Sequence, residues 1–107
     1  METFTVRDLR ERTGELIRGA ENGKLAVVTK HGTPVFVAVP FDETLLREGV
    51  SVALAIRLFD EERISLSRAA RIAGLSVGEM IDRLAKHGIS VVRTSEDELE
   101  RELADFS

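Results

Sequence analysis

Residues 25–39 read LAVVTKHGTPVFVAV, two runs of mostly β-branched and apolar side chains separated by Lys30-His31-Gly32-Thr33. That pattern predicts a β-hairpin with a glycine in its turn. Pro34 fits the first position of an edge strand, where no ladder donor is required. Towards the N-terminus, Asn22-Gly23 supplies a helix stop, because both residues tolerate left-handed backbone angles. Ahead of it, Val6, Leu9, Thr13, Leu16, Ile17 and Ala20 recur at helical spacing and predict one amphipathic helix. Thr5 stands three residues before Asp8, the spacing at which a hydroxyl and a carboxylate cap a helix reciprocally, and the opening ETFT predicts a short strand. Strand, helix and hairpin make a small α+β unit whose one helix cannot cover both sheet faces. About 40 residues bury too little surface to stand alone, so this unit is expected to dimerise.

Towards the C-terminus, Pro40 and the polar FDE that follows mark a boundary. A helix from about Ser51 to Glu62 carries Val52, Leu54, Ala55, Ile56, Leu58 and Phe59, apolar on most of its circumference and therefore buried. Ser65 opens a second helix, SLSRAARIAGL; Gly74 turns it and Ser76 caps a third, SVGEMIDRLAKHG. Helix, tight glycine-containing turn and helix is the helix-turn-helix layout, with Ala70 and Gly74 placed where the two helices pack closely. Gly88 ends the third helix and ISVVRT predicts a short strand. In the final SEDELERELADFS, Ser95 and Glu98 form a capping box, and Leu99, Leu103 and Phe106 fall on one helical stripe. The expected fold class is α+β: an N-terminal strand-helix-hairpin dimerisation unit (1–43), a mainly helical helix-turn-helix-like module (44–94) and an acidic amphipathic C-terminal helix (95–107).

Composition excludes several chemistries. The chain has 107 residues, 15 basic against 19 acidic, and no cysteine, so disulfides, zinc fingers and thiol catalysis are out. No apolar run approaches the roughly 20 residues of a spanning helix, and METFTVRDLR lacks a signal-peptide layout, which predicts a cytoplasmic protein. His31 and His87 have no metal-ligand spacing to acidic neighbours, and neither a Gly-rich phosphate loop nor a Ser/His/Asp constellation is present. Acidic runs such as Asp60-Glu61-Glu62 read as solvated surface. The expectation is a protein without catalytic activity, cofactor, metal or small-molecule substrate, and without membrane attachment.

The net charge of −4 is unevenly spread. Residues 1–41 hold six basic and five acidic side chains, residues 42–93 are balanced, and the last fourteen set six acids against Arg101. Arg7, Arg10 and Arg12 crowd the start of the first helix, a place whose free amides and dipole already favour phosphate, while Lys30 and His31 top the hairpin. A symmetric dimer would present this cationic set twice, matched to two half-sites. Alternatively the arginines pair with Asp8, Glu11 and Glu15 along a solvated helix. With neither Tyr nor Trp for base stacking, duplex DNA is favoured over single strands or RNA. The presumptive recognition helix opens with Gly78, Glu79 and Asp82 and offers only Arg83 and Lys86 against them, which suits packing or partner binding better than groove reading. The tail either lays Leu99, Leu103 and Phe106 into a partner's groove ringed by basic residues, docks on its own domain, or stays a solvated terminus.

Two stretches resemble known families. FTVRDLRERTGELI…AVVTKHGTPVFVAVPFDE resembles the N-terminal DNA-binding domain of the Phd/YefM antitoxins over about the first 43 residues, on the apolar residue before Thr5, on Arg10, and on Lys30-His31 before Gly32. His31 stands where that family often has a second strong cation. From about Val52 onward, ISLSRAARIAGLS, an acidic helix and GISV are similar to the UPF0175 family, which is commonly linked to PIN-domain ribonuclease toxins. Together the resemblances imply a prokaryotic antitoxin of a type II toxin–antitoxin pair. It would bind operator DNA as a dimer through Thr5, Arg7, Arg10, Arg12, Lys30 and His31. It would repress its own operon by that operator contact, and it would hold and neutralise a cognate toxin through Leu99, Leu103 and Phe106. The alternative is a stand-alone helix-turn-helix transcription regulator with no toxin partner.

Overall fold

The chain divides into two compact units after Val50, and the computed structural model describes residues 1–91. These residues form an α+β protein with one three-stranded sheet and six helices.

The first unit runs β1 (Glu2–Thr5), α1 (Asp8–Glu11), α2 (Thr13–Glu21), β2 (Ala26–Lys30), β3 (Thr33–Ala38) and α3 (Glu43–Glu48). β1 lies parallel to β2, with Phe4 opposite Val28 and Thr5 opposite Thr29; β3 returns antiparallel on the other side of β2. The core is small: Phe4, Leu25 and Val28 are fully buried, with buried Ala26 and Pro40 beside them in the unit. α1 packs on β1 and α2 on β2. The edge strand stays bare, with Val35, Phe36 and Val37 at 58%, 51% and 40% exposure.

The single helix expected between Val6 and Ala20 is two helices, and the first begins at Asp8 rather than Val6. The chain leaves helical angles at Arg12 (φ −120°, ψ 28°), just before Thr13 and Gly14, two weak helix formers. The Thr13 hydroxyl donates to the Leu9 carbonyl across this break. The reciprocal cap does form: Thr5 N–H donates to Asp8 Oδ2 (2.9 Å) and Asp8 N–H to Thr5 Oγ1 (3.1 Å).

The hairpin turn is tighter than the four-residue separator suggested. Lys30 pairs with Thr33, leaving His31 (φ 52°) and Gly32 (φ 77°) as a two-residue turn with both central angles positive. This is the type I′ geometry that matches strand twist. Pro34 is the second residue of β3, opposite Thr29 and beside a register shift at Val28/Thr29; its edge strand is the setting that tolerates proline. α3, not expected from the sequence, starts where the Asp42 side chain accepts from Leu45 N–H at 3.1 Å.

The second unit is helical in its described part: α4 (Val50–Asp60, its first residue lying just before the division), α5 (Leu66–Ala73) and α6 (Val77–Lys86). Ala55, Ile56 and Phe59 of α4 meet Leu66, Ala69 and Ala70 of α5 and Val77, Met80 and Leu84 of α6 in one core. Ser65 caps α5 by accepting from Arg68 N–H (3.1 Å). Ser76 and Glu79 cap α6 reciprocally, at 3.1 Å each way. Gly74 serves a different purpose from the close helix packing expected of it. A methyl group there would touch nothing within 4 Å, whereas the backbone sits at φ 71°, so the turn needs glycine for its angle. Residues 89–91 of the expected ISVVRT strand are not in a strand; Ile89 and Val91 instead pack against the helical core, because the described part of this unit offers no strand to pair with. The rest of that segment and the 95–107 helix, with Leu99, Leu103 and Phe106, lie outside the described residues. Among the described residues no helix is long and apolar enough to cross a membrane.

Candidate nucleic-acid interface

Parallel pairing of β1 and β2 brings their C-terminal ends together, and with them two segments far apart in sequence. Val6 N–H donates to the Thr29 carbonyl at 3.1 Å, which holds the β1–α1 junction against the last residues of β2. Thr5, Val6 and Arg7 on one side and Thr29, Lys30 and His31 on the other line an open cleft of about 480 Å³. Thr5, Arg7, Lys30 and His31 are thus brought to one place. Thr29 and Val6 complete its walls, and no sequence pattern marked them, since their role depends on strand pairing.

The cations differ in how free they are. Arg7 makes one loose contact with Glu11 (3.7 Å), and both side chains are widely exposed (84% and 66%), so solvent screens the pair. Arg10, Lys30 and His31 are exposed and have no ion-pair partner among the described residues. Arg10 lies on α1 and is not among the residues lining the cleft.

Arg12 is held differently from the rest of the set. Its guanidinium donates to Glu15 Oε2 through Nη2 (2.7 Å) and Nε (3.1 Å), and reaches Asp8 Oδ2 and Glu2 Oε2 at 3.4 Å each. It also lies over the Phe4 ring, 4.6 Å from the centroid. Arg12 holds Glu15 below its ordinary carboxylate range. Asp8 is lowered too, first by the Thr5 N–H.

The expectation that an N-terminal helix end would supply free amides for phosphate is not met. α1 is a single turn of four residues, its Asp8 N–H is taken by the Thr5 hydroxyl, and Asp8 and Glu11 place two carboxylates there. The Val6 N–H is likewise taken, by the Thr29 carbonyl, which leaves the cationic side chains as the main draw for an anion.

The presumptive recognition helix, α6, opens on acids, although Arg68 and Arg71 of α5 and Arg83 and Lys86 of α6 outnumber them. The first turn of α6 carries exposed Glu79, bound into its cap and lowered in pKa chiefly by the Ser76 N–H, with exposed Asp82 following. A second depression, of about 250 Å³, lies between the end of α4 and the segment after α6, lined by Phe59, Asp60, Glu62, Gly88, Ile89 and Ser90. Among the described residues no group of three or more His, Asp or Glu side chains is placed to hold a metal ion.

Residues 34–107 match the family described as "Uncharacterised protein family (UPF0175)", more than half of the chain. The chain belongs to the UPF0175 family. A "UPF0175 protein" of Aeropyrum pernix is 38% identical over 58 residues, covering 54% of this chain and 64% of that relative, so the chain spans a little under two thirds of its length. No solved structure matches. The UPF0175 match begins at Pro34, within β3, and so takes in α3 and the whole described helix-turn-helix, well ahead of Val52, where the resemblance first becomes readable. The cleft lies wholly ahead of that limit: all its lining residues precede position 34.

Proposed function

We propose that this UPF0175 chain is the antitoxin of a type II toxin–antitoxin pair. Its first unit, Phd/YefM-like and dimeric, binds operator duplex DNA; its C-terminal part occupies a cognate toxin, a PIN-type ribonuclease, and blocks it. It acts by occupancy, turns over no substrate and uses no cofactor. The observation that carries the DNA half is the meeting of Thr5 and Arg7 with Lys30 and His31 at the ends of two parallel strands. Arg10 stands nearby on α1, and α6 opens on acids. Support for dimerisation comes from a unit of 50 residues with three fully buried apolar side chains and a bare apolar edge strand. Support for a basic protein partner comes from the six acids and the Leu99, Leu103 and Phe106 stripe in the tail sequence.

Two experiments test the halves separately. Binding to a labelled duplex copied from the region upstream of its own gene should weaken steeply with salt. The Arg10→Ala, Lys30→Ala double variant should bind more weakly with a shallower salt dependence, by about 0.9 per lost phosphate contact. If it binds normally while Arg83→Ala, Lys86→Ala abolishes binding, the chain is a helix-turn-helix regulator instead. Co-expression with the adjacent reading frame should recover a complex, and deleting residues 95–107 should impair that capture while sparing DNA binding.

A further inference from the structure

Resting on the duplex-binding reading above, we infer that Arg12 is a positioning residue, which aims the cationic cleft at the duplex without touching it. Its guanidinium ties together three parts of the chain that must keep a fixed relation. Glu2 and Phe4 belong to β1, Asp8 opens α1, and Glu15 lies in the first turn of α2. Asp8 is the shared member: the same Oδ2 that Arg12 reaches at 3.4 Å accepts the Thr5 N–H at 2.9 Å. Thr5, two residues from Arg7, is therefore held by Asp8, and Asp8 is held by Arg12. Backbone bonds also pass through Arg12, whose N–H donates to the Asp8 carbonyl (2.7 Å) and whose carbonyl accepts from Leu16 N–H (3.1 Å), so the side chain reinforces a junction where the φ and ψ angles leave the helical range. Three carboxylates offset one guanidinium, so Arg12 adds no net cation for a phosphate to meet. A phosphate contact would require it to leave Glu15 and the Phe4 ring, whereas Arg7 would give up only a solvated contact with Glu11. Lysine does not reproduce this role, since an ammonium lacks the planar fork that spans several carboxylates and stacks on a ring.

The decisive variant is Glu15→Gln in the full-length chain, titrated with the same upstream duplex over about 50–200 mM salt. Removing a carboxylate near the cleft makes the protein less acidic, so simple charge balance expects tighter binding. Positioning expects weaker binding, because Arg12's shortest contact loses its charge and its bidentate acceptor. Arg12→Ala and Arg12→Lys should each lose about tenfold in affinity, the scale on which groups that orient a binding side chain act. Their salt slopes should match that of the parent, while Arg7→Ala and Lys30→Ala become shallower. Circular dichroism at the titration temperature shows whether each variant is folded, and Glu15→Gln keeps the question answerable if the Arg12 variants are not. Tighter binding by Glu15→Gln, a shallower slope for Arg12→Ala, or full rescue by Arg12→Lys overturns the inference and leaves the duplex-binding reading intact. Absence of salt-dependent binding by the parent chain overturns both.

Discussion

His31 is the residue at which fold and proposed function pull in different directions. It occupies the first central position of a type I′ turn at φ 52°, where asparagine, aspartate and glycine are the residues at ease. Asparagine at this position should raise thermal stability by up to about 1 kcal/mol by easing the left-handed backbone. It should also weaken duplex binding, since the imidazole leaves the cleft rim. A melt and a titration on His31→Asn check both; movement in the same direction would place His31 outside the binding surface. At this scale the sequence was readable wherever partners were neighbours. The Thr5/Asp8 cap followed from a three-residue spacing, and Ser76 was legible as a cap, though its reciprocal Glu79 half was not read. Arg12's pairing with Asp8 and Glu15 was legible as one alternative, but its contacts with Glu2 and Phe4 were not, because these reach it only once β1 lies beside the α1–α2 junction.

Among elements, α6 has the most explicit start signal, and its stability should depend on it. Ser76→Ala should destabilise the second unit by about 1 kcal/mol. The Glu79 half of the cap is pH-dependent, with a sign that follows from its lowered carboxylate. A group with a native pKa below its unfolded value adds stability that is full above the unfolded value, here 4.5, and disappears as pH falls through the native one. The melting temperature of the parent should therefore exceed that of Glu79→Gln by a constant amount above about pH 5, and the gap should close on acidification below about pH 4. A gap that persists into acid would mean that Glu79 acts by packing instead. Elements with caps and periodic apolar faces, such as α5 and α6, were legible in advance. α3 was not: six residues with adjacent Leu45 and Leu46 show no helical stripe, and its Asp42 cap reads equally well as a turn. ISVVRT misled for the opposite reason, since β-branched residues suit a strand only where a neighbour exists to pair with, and Ile89 and Val91 found a helical core.

For the whole molecule, the apolar edge of the first unit is the feature with the largest expected effect. Phe36, half exposed beside buried Val28, should contribute to the contact with a second copy. Light scattering on the parent should give a dimer. Phe36→Lys should shift it towards monomer, remove the concentration dependence of its melting temperature and weaken duplex binding with it. A dimer indifferent to Phe36→Lys would place the contact elsewhere. The same edge strand also bears on how such a chain can be divided or recombined. Family similarity starts at Pro34, but β3 has β2 as its bonded neighbour in the sheet, and β2 ends at Lys30. A fragment beginning where the similarity begins would carry the last five residues of β3 stripped of that ladder, a template for aggregation. A fragment beginning after Val50 cuts no strand. Exchange of N-terminal units between relatives therefore has a natural joint at Val50, several elements downstream of the point where their sequences start to agree.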